Sequence, residues 1–150
     1  VPSAKSAAKN ESKIMNKGEE IIRNKMYAND AFSKWLGIEI VNVGAGTCKL
    51  KMKVRKEMLN GFAIAHGGIT YSLADSALAF ASNSHGKKAV SVETSISHTQ
   101  TVNEGDDLIA IATEQHMSDK IAVYQIVVTN QENKTVALFK GVVYRTQKDW

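Results

Sequence analysis

Residues 69–84 contain neither proline nor glycine, and leucine, alanine and phenylalanine cover most of their helical circumference. A helix that is apolar nearly all round must be buried on nearly all sides. At about 1.5 Å per residue it runs roughly 24 Å, enough to lie along a whole sheet. Gly86 ends it. The rest of the chain must therefore supply a cover for this segment.

The flanking patterns supply strands. Residues 38–43 read as a strand with Ile38, Ile40 and Asn42 on one face. After a Gly44-Ala45-Gly46 turn, residues 47–54 return as a second strand. There Leu50, Met52 and Val54 alternate with Lys49, Lys51 and Lys53, so one face is buried and the other wet. Beyond the long helix, residues 89–101, 108–117, 121–129 and 136–145 read as four more strands separated by turns. Before the first strand, Ile14, Gly18, Ile21, Ile22 and Met26 recur at helical spacing. Asn29-Asp30 caps a short helix over 31–35, which Gly37 stops. This order predicts one α+β domain over residues 14–150, an antiparallel sheet wrapped on one helix with an N-terminal helical extension. The sheet's other face and at least one edge lack cover, which predicts an oligomer.

Composition narrows the function. The chain is 43% hydrophobic and 23% charged, ordinary for a globular protein. Its formal charge of +4 is scattered, with no Lys/Arg block interleaved with aromatics, which argues against nucleic acid as a partner. No stretch approaches the length of a membrane span. Residues 1–13 are small, polar and basic, lack the apolar core of a secretory signal and are expected to form a mobile tail. The cytoplasm is the expected compartment. Cys48 is the only cysteine, so no internal disulfide or cysteine-based zinc site is available, and its strand-like surroundings mark it as a structural thiol. Four scattered histidines without a carboxylate at ligand spacing predict no metal site.

The chemistry concentrates on the helix. Between Met58 and Gly86 the only formal charge is Asp75. With residues about 100° apart, Asp75 shares a narrow polar strip with Ser72, Ser76, Ala79 and Ser82. An unpaired carboxylate there is costly to desolvate. The alternative is a purely structural Asp75, hydrogen-bonded by Ser72, a strand or a partner subunit. Directly before the helix stands His66-Gly67-Gly68. Glycines at a helix N-terminus leave open N–H donors that, with the helix dipole, bind oxyanions. Donors for a carbonyl oxygen and a carboxylate to deliver a nucleophile are the equipment of acyl transfer. Gly67 and Asp75 are nevertheless roughly 12 Å apart along one helix, too far to serve one carbonyl carbon. A shared site needs two antiparallel helices from two subunits.

These residues resemble a known family. Asn60-Gly61, Ala65-His66-Gly67-Gly68, Ser72-Leu73-Ala74-Asp75 and Asn83-Ser84-His85-Gly86 are similar to hotdog-fold acyl-CoA thioesterases of the phenylacetic-acid degradation (PaaI-like) type. Met26-Tyr27-Ala28-Asn29-Asp30, Leu36-Gly37-Ile38 and Thr135-Val136-Ala137-Leu138-Phe139 extend the similarity over about residues 26–145. The resemblance implies a homotetramer, a dimer of dimers, with sites at subunit interfaces. It implies Asp75 as nucleophile or general base, and the Gly67 N–H polarising the thioester carbonyl. Asn60 and His66 would line the site, with Gly68, Ser72, Ser76 and Phe62 contacting substrate. Aryl-acetyl-CoA thioesters are the implied substrates, with no metal or bound cofactor.

Two departures stand out. Where many relatives carry aromatic-Leu-Arg-Pro after the helix, this chain reads His98-Thr99-Gln100-Thr101. An arginine expected to face CoA is thus absent, leaving Lys87, Lys88, Lys120, Lys140 and Arg145 as candidates. Phe62 and Ile64 also make the loop after Asn60 more apolar. The competing readings are a non-catalytic acyl-CoA binding or sensing protein on this fold, and a hydratase. Hydratases place a histidine five residues after the aspartate, where this chain has Phe80. His85 is read as a surface or interface residue, His98 and His116 as packing or solvent-facing strand residues, and Trp35 and Trp150 as packing residues.

Overall fold

A computed structural model describes residues 15–150. The expected tail over 1–13 and the helical position of Ile14 lie outside the described residues. Six strands form one antiparallel sheet: β1 (Glu39–Gly44), β2 (Thr47–Lys53), β3 (Lys87–His98), β4 (Asp107–Met117), β5 (Ile121–Thr129) and β6 (Thr135–Asp149). Their order across the sheet is β1-β2-β4-β5-β6-β3. The sheet wraps the long helix, Gly67–Asn83, which is the hotdog arrangement that the resemblance implied.

Before β1 come α1 (Lys17–Glu20) and α2 (Ala31–Trp35), with π-helical and 3-10 turns between them; the long helix is α3. The expected N-terminal helix is thus a broken one. Asn16 caps α1 by accepting the Glu19 N–H. Asp30 caps α2 by accepting the Ser33 N–H, as its position predicts. Ile21 and Ile22 are buried in the core. Gly37 has φ of +74°, the left-handed geometry that stops a helix at little cost only with glycine.

The α3 residues Leu73, Ala74, Ala77, Leu78, Phe80 and Ala81 are buried in the core. They meet inward rows such as Leu108, Ala110 and Ala112 of β4 and Tyr124, Ile126 and Val128 of β5. Gly141 on β6 sets how closely helix and sheet approach. A Cβ there would overlap the Leu78 side chain. At the far end of α3, the buried Asn83 amide ties the helix to β3. It donates to the Ala89 carbonyl and accepts from the Ala89 N–H and from Trp150 Nε1.

In β2 the lysines face out while Cys48, Leu50 and Met52 are buried, as the alternation predicts. Burial pushes the Cys48 thiol up to about 12 against the opposing charge of Arg23, so it is an unreactive structural thiol. Several expectations are corrected. In β1 a bulge between Ile40 and Asn42 switches the inward parity, so Val43 is buried and Asn42 exposed. α3 starts at Gly67, because the His66 side chain already caps it there. β3 leaves the sheet after His98, three residues early, whereas β6 runs on to Asp149 and pairs with Lys87. Trp35 is 56% exposed, stacked on Phe32 with the Arg55 guanidinium over its ring. His85 is no plain surface residue, since its Nε2 lies 2.6 Å from Glu114 Oε2 in a partly buried pair.

Gly141→Ala should destabilise the protein by about 1–3 kcal/mol, the range for an overpacked core. Gly61→Ala, with open space where its Cβ would stand, should stay within about 0.5 kcal/mol of the original. Denaturant unfolding of both variants checks the contrast.

Candidate active site

The loop leading into α3 is held at both ends. The Ala65 N–H donates to the Val102 carbonyl and the His66 N–H to the Met58 carbonyl. Within it, Asn60 Oδ1 accepts the N–H groups of Phe62 (2.9 Å) and Ile64 (3.4 Å), so this side chain shapes the turn. His66 Nδ1 accepts the Gly68 N–H at 2.9 Å. That leaves Gly67 as the first residue of α3, with no hydrogen-bond partner for its N–H among the described residues.

Gly67 opens on a cavity of about 460 Å³ that Asn60, Thr70, His98, Gln100 and Thr101 also line. Asp75 opens on a different cavity, of about 290 Å³, with Met26, Leu78, Ser82, Val90 and Ser91 among its walls. On a single chain the two groups therefore do not share a space. The Asp75 cavity borders β3, an outer strand of the sheet that among the described residues is paired only with β6. Val90 and Val92 on that edge are 57% and 60% exposed.

The other candidates divide. Ser72 Oγ donates to the Gly68 carbonyl at 2.6 Å, within α3 itself. Ser76 is buried, its Oγ 2.8 Å from Ser33 Oγ, which in turn donates to Asp30. Ser76 thus fastens α3 to α2 and opens on neither cavity. Phe62 is 86% exposed, and neither it nor Gly68 nor His66 lines either cavity. Nor do the five basic residues named as candidates for CoA. Lys87 pairs with Asp149 at 2.7 Å, and Arg145 donates to the carbonyls of Ser118 and Asp119. Among the described residues no cluster of three or more His, Cys, Asp or Glu could hold a metal ion.

Three lining residues escaped the sequence reading. Ser91 faces the Asp75 cavity, while Thr70 and His98 face that of Gly67. His98, expected to pack or face solvent, sits with Nδ1 3.2 Å from Thr70 Oγ1. The departure at residues 98–101 was the available signal, but the direction of the His98 ring depends on a β3 bulge between Ser91 and Glu93. Ala89 packs on the core before the bulge and Ile96 after it, with Tyr71 Oη 2.6 Å from Thr94 Oγ1.

Electrostatics single out Asp75. Burial, and after it the negative charge of Asp30, hold its carboxyl above the ordinary aspartate range.

The comparisons with known proteins agree with this architecture. The thioesterase superfamily model matches residues 62–137. The acyl-coenzyme A thioesterase PaaI of Escherichia coli K12 is 43% identical over 120 residues, 80% of this chain and 86% of that protein. The solved structure of the E. coli PaaI protein from the phenylacetic acid degradation operon superposes with a TM-score of 0.81 at 42% identity, covering 83% of this chain and 90% of that one. A Streptococcus mutans UA159 protein solved bound to acetyl CoA gives a TM-score of 0.73 at 27% identity, covering 75% and 91%. The chain belongs to the thioesterase superfamily and is a thioester hydrolase.

The raised Asp75 carboxyl has a consequence for stability. The folded protein holds this proton more tightly than the unfolded chain, so stability contributed by Asp75 is full below the unfolded value and is lost as pH rises through the folded one. Asp75→Asn should therefore raise the unfolding temperature at pH 7 and change it little at pH 3. Thermal scans at both values check this.

Proposed function

We propose that the protein is an acyl-CoA thioesterase, acting on aryl-acetyl-CoA esters such as phenylacetyl-CoA, with each active site shared between two subunits. The observation that carries this is the separation of Gly67 and Asp75 into two open cavities, the second beside the unpaired edge of β3. A second copy pairing edge to edge along β3 would bring its α3 N-terminus toward Asp75. Exposed Val90 and Val92 on that edge favour such pairing.

In this reading the thioester carbonyl oxygen accepts the Gly67 N–H of one subunit. Asp75 of the other attacks the carbonyl carbon or removes a proton from the water that does. A carboxyl held above its usual range is a better base than an ordinary aspartate. The apolar walls around Asp75, Leu78, Val90 and Val143 among them, suit a hydrophobic acyl group. The aryl-acetyl preference leans on likeness to PaaI, whose structure is described as from the phenylacetic acid degradation operon. The chemistry calls for no metal or cofactor. Ile111, Val127 and Leu138 lie opposite one another on the outer sheet face, with Ile111 and Leu138 exposed. They offer a second apolar contact, which supports a dimer of dimers. The enzyme would work in the cytoplasm, where CoA esters are made and used.

Asp75→Ala and Asp75→Asn should lower kcat for phenylacetyl-CoA by about 10²–10⁴-fold with the oligomer intact, as measured by thiol release. The shared site has its own test. Gly67→Pro removes the N–H at the first helical position, where proline is tolerated. Asp75→Asn and Gly67→Pro proteins should each be nearly inactive. Mixed and re-paired, they should recover roughly a quarter of full activity, since about half the dimers then carry one intact site. No recovery after verified subunit exchange would overturn the shared site.

A further inference from the structure

We propose that Asp30 is a positioning residue for Asp75: a second, unpaired carboxylate, fixed by the cap of α2 and joined to α3 through Ser33 and Ser76, whose charge sets the pH range in which Asp75 works. This rests on the thioesterase reading above. The joint is a chain of short hydrogen bonds. Asp30 accepts the Ser33 N–H at Oδ1 (2.9 Å) and the Ser33 hydroxyl at Oδ2 (2.7 Å). Ser33 Oγ in turn lies 2.8 Å from Ser76 Oγ. Both serines are buried and Asp30 is half-buried. Ser76 directly follows Asp75 on α3, which sets their Cα atoms about 3.8 Å apart. The Asp30 carboxylate is therefore held near Asp75 by a rigid connection across buried ground.

The chain of hydrogen bonds has one direction. A carboxylate accepts and cannot donate, and a hydroxyl has one hydrogen to give. Ser33 gives its hydrogen to Asp30, so Ser76 gives its own to Ser33. Neither hydroxyl has a hydrogen left for Asp75. Among the described residues nothing donates to the Asp75 carboxylate, and no cation pairs with either aspartate. The cavity wall brings no charge either. Met26 before α2, Ala89, Val90 and Ser91 on β3 and Val143 on β6 line it, and none of them titrates. Asp30 is thus the one titratable group among the described residues whose charge bears on Asp75. Like charges at short range oppose each other's ionisation.

A cap alone would not need that charge. Asparagine or serine caps a helix about as well as aspartate, and neither would oppose ionisation of Asp75. The charge has two effects on a base. It makes Asp75 hold a transferred proton more firmly, which favours proton removal once Asp75 is ionised. It also moves the range of ionised Asp75 away from acid. Below the acidic limb of the pH–rate profile the ionised fraction decides the rate. Above it the strength of the base decides.

The test uses the full-length oligomer and phenylacetyl-CoA. Asp30→Asn keeps the cap and removes the charge. Its acidic limb of kcat/KM should move to lower pH. The variant should therefore be faster than the parent below the limb and slower on the plateau, so that the two profiles cross. Ser33→Ala keeps the charge and breaks the chain, and its limb should stay in place. If the asparagine variant does not fold, Asp30→Ser takes its place with the same expectation. A second readout is the carbon-13 signal of the Asp75 carboxyl in aspartate-labelled protein, assigned by its loss in Asp75→Asn. Its titration should move to lower pH in Asp30→Asn and stay in Ser33→Ala. An unmoved titration or uncrossed profiles in the asparagine variant of an active enzyme overturn the role of Asp30 alone. An equal shift in Ser33→Ala overturns it too, since the hydrogen bonds and not the charge would then act on Asp75. A parent protein that hydrolyses no acyl-CoA thioester rejects the thioesterase reading, and the role in catalysis with it, whatever the titration shows.

Discussion

The burial of α3 governs the rest of the structure. A helix whose Leu, Ala and Phe residues face nearly every direction gains stability only where a sheet curls round it, and β2 to β6 supply that curl. Contact is close because Gly141 leaves no side chain between β6 and Leu78. The polar groups on the helix are tied down in turn. Asn83 bonds to β3 and Trp150, Ser76 bonds to Ser33, and Thr70 reaches His98. Asp75 differs from these. It is the one formally charged group on α3, and burial opposes its ionisation. A carboxylate left at the wall of a cavity, in a fold that satisfies its buried polar atoms so consistently, is in keeping with the role proposed for Asp75.

What the sequence made legible follows from how local the cause is. The α3 pattern, the β2 alternation, the Asp30 cap and the Gly37 stop depend on residues a few positions apart, and each appears where expected. Other features depend on register between strands distant in the chain. The bulge after Ile40 exchanged Asn42 for Val43, and the bulge after Ser91 put His98, still exposed, beside Thr70 at the start of α3. A bulge shifts side-chain parity by one residue, and nothing in the alternation of β3 itself announces it. The same reasoning explains Ser76. Helical spacing places it beside Asp75, but only the packed position of α2 shows that Ser33 claims its hydroxyl.

The candidate site shows this division at finer scale. Gly67 and Asp75 were visible as residue types that acyl transfer needs, and Asn60 through the family resemblance. Their roles in the fold differ from one another. Asn60 shapes its loop by accepting two backbone N–H groups, while His66 caps α3 and so positions Gly67 rather than facing its cavity. The cap also bears on the glycine two residues after it, and His98 on the glycine between. At Gly68 an added Cβ would stand 3.1 Å from His66 Nδ1, and at Gly67 it would crowd His98. A side chain at either glycine would thus ask an imidazole close by to give by a few tenths of an ångström, independent of any left-handed backbone.

The separation of the two cavities ties function to assembly. Gly67 and Asp75 lie on one rigid helix, so no loop movement within a chain can bring them to a common carbonyl. Only a second helix of opposite direction can do so. The edge of β3 is the element that borders Asp75 and, among the described residues, lacks a strand partner on its outer side. The exposed valines there are a liability for a monomer and an asset for a paired edge. Pairing along β3 would also narrow the opening of the Asp75 cavity and remove water from around its carboxylate. Desolvation of that kind raises its basicity further. In the proposed arrangement the contact that completes the site is the same contact that would tune its base, so that assembly would be a condition of chemistry rather than an addition to it.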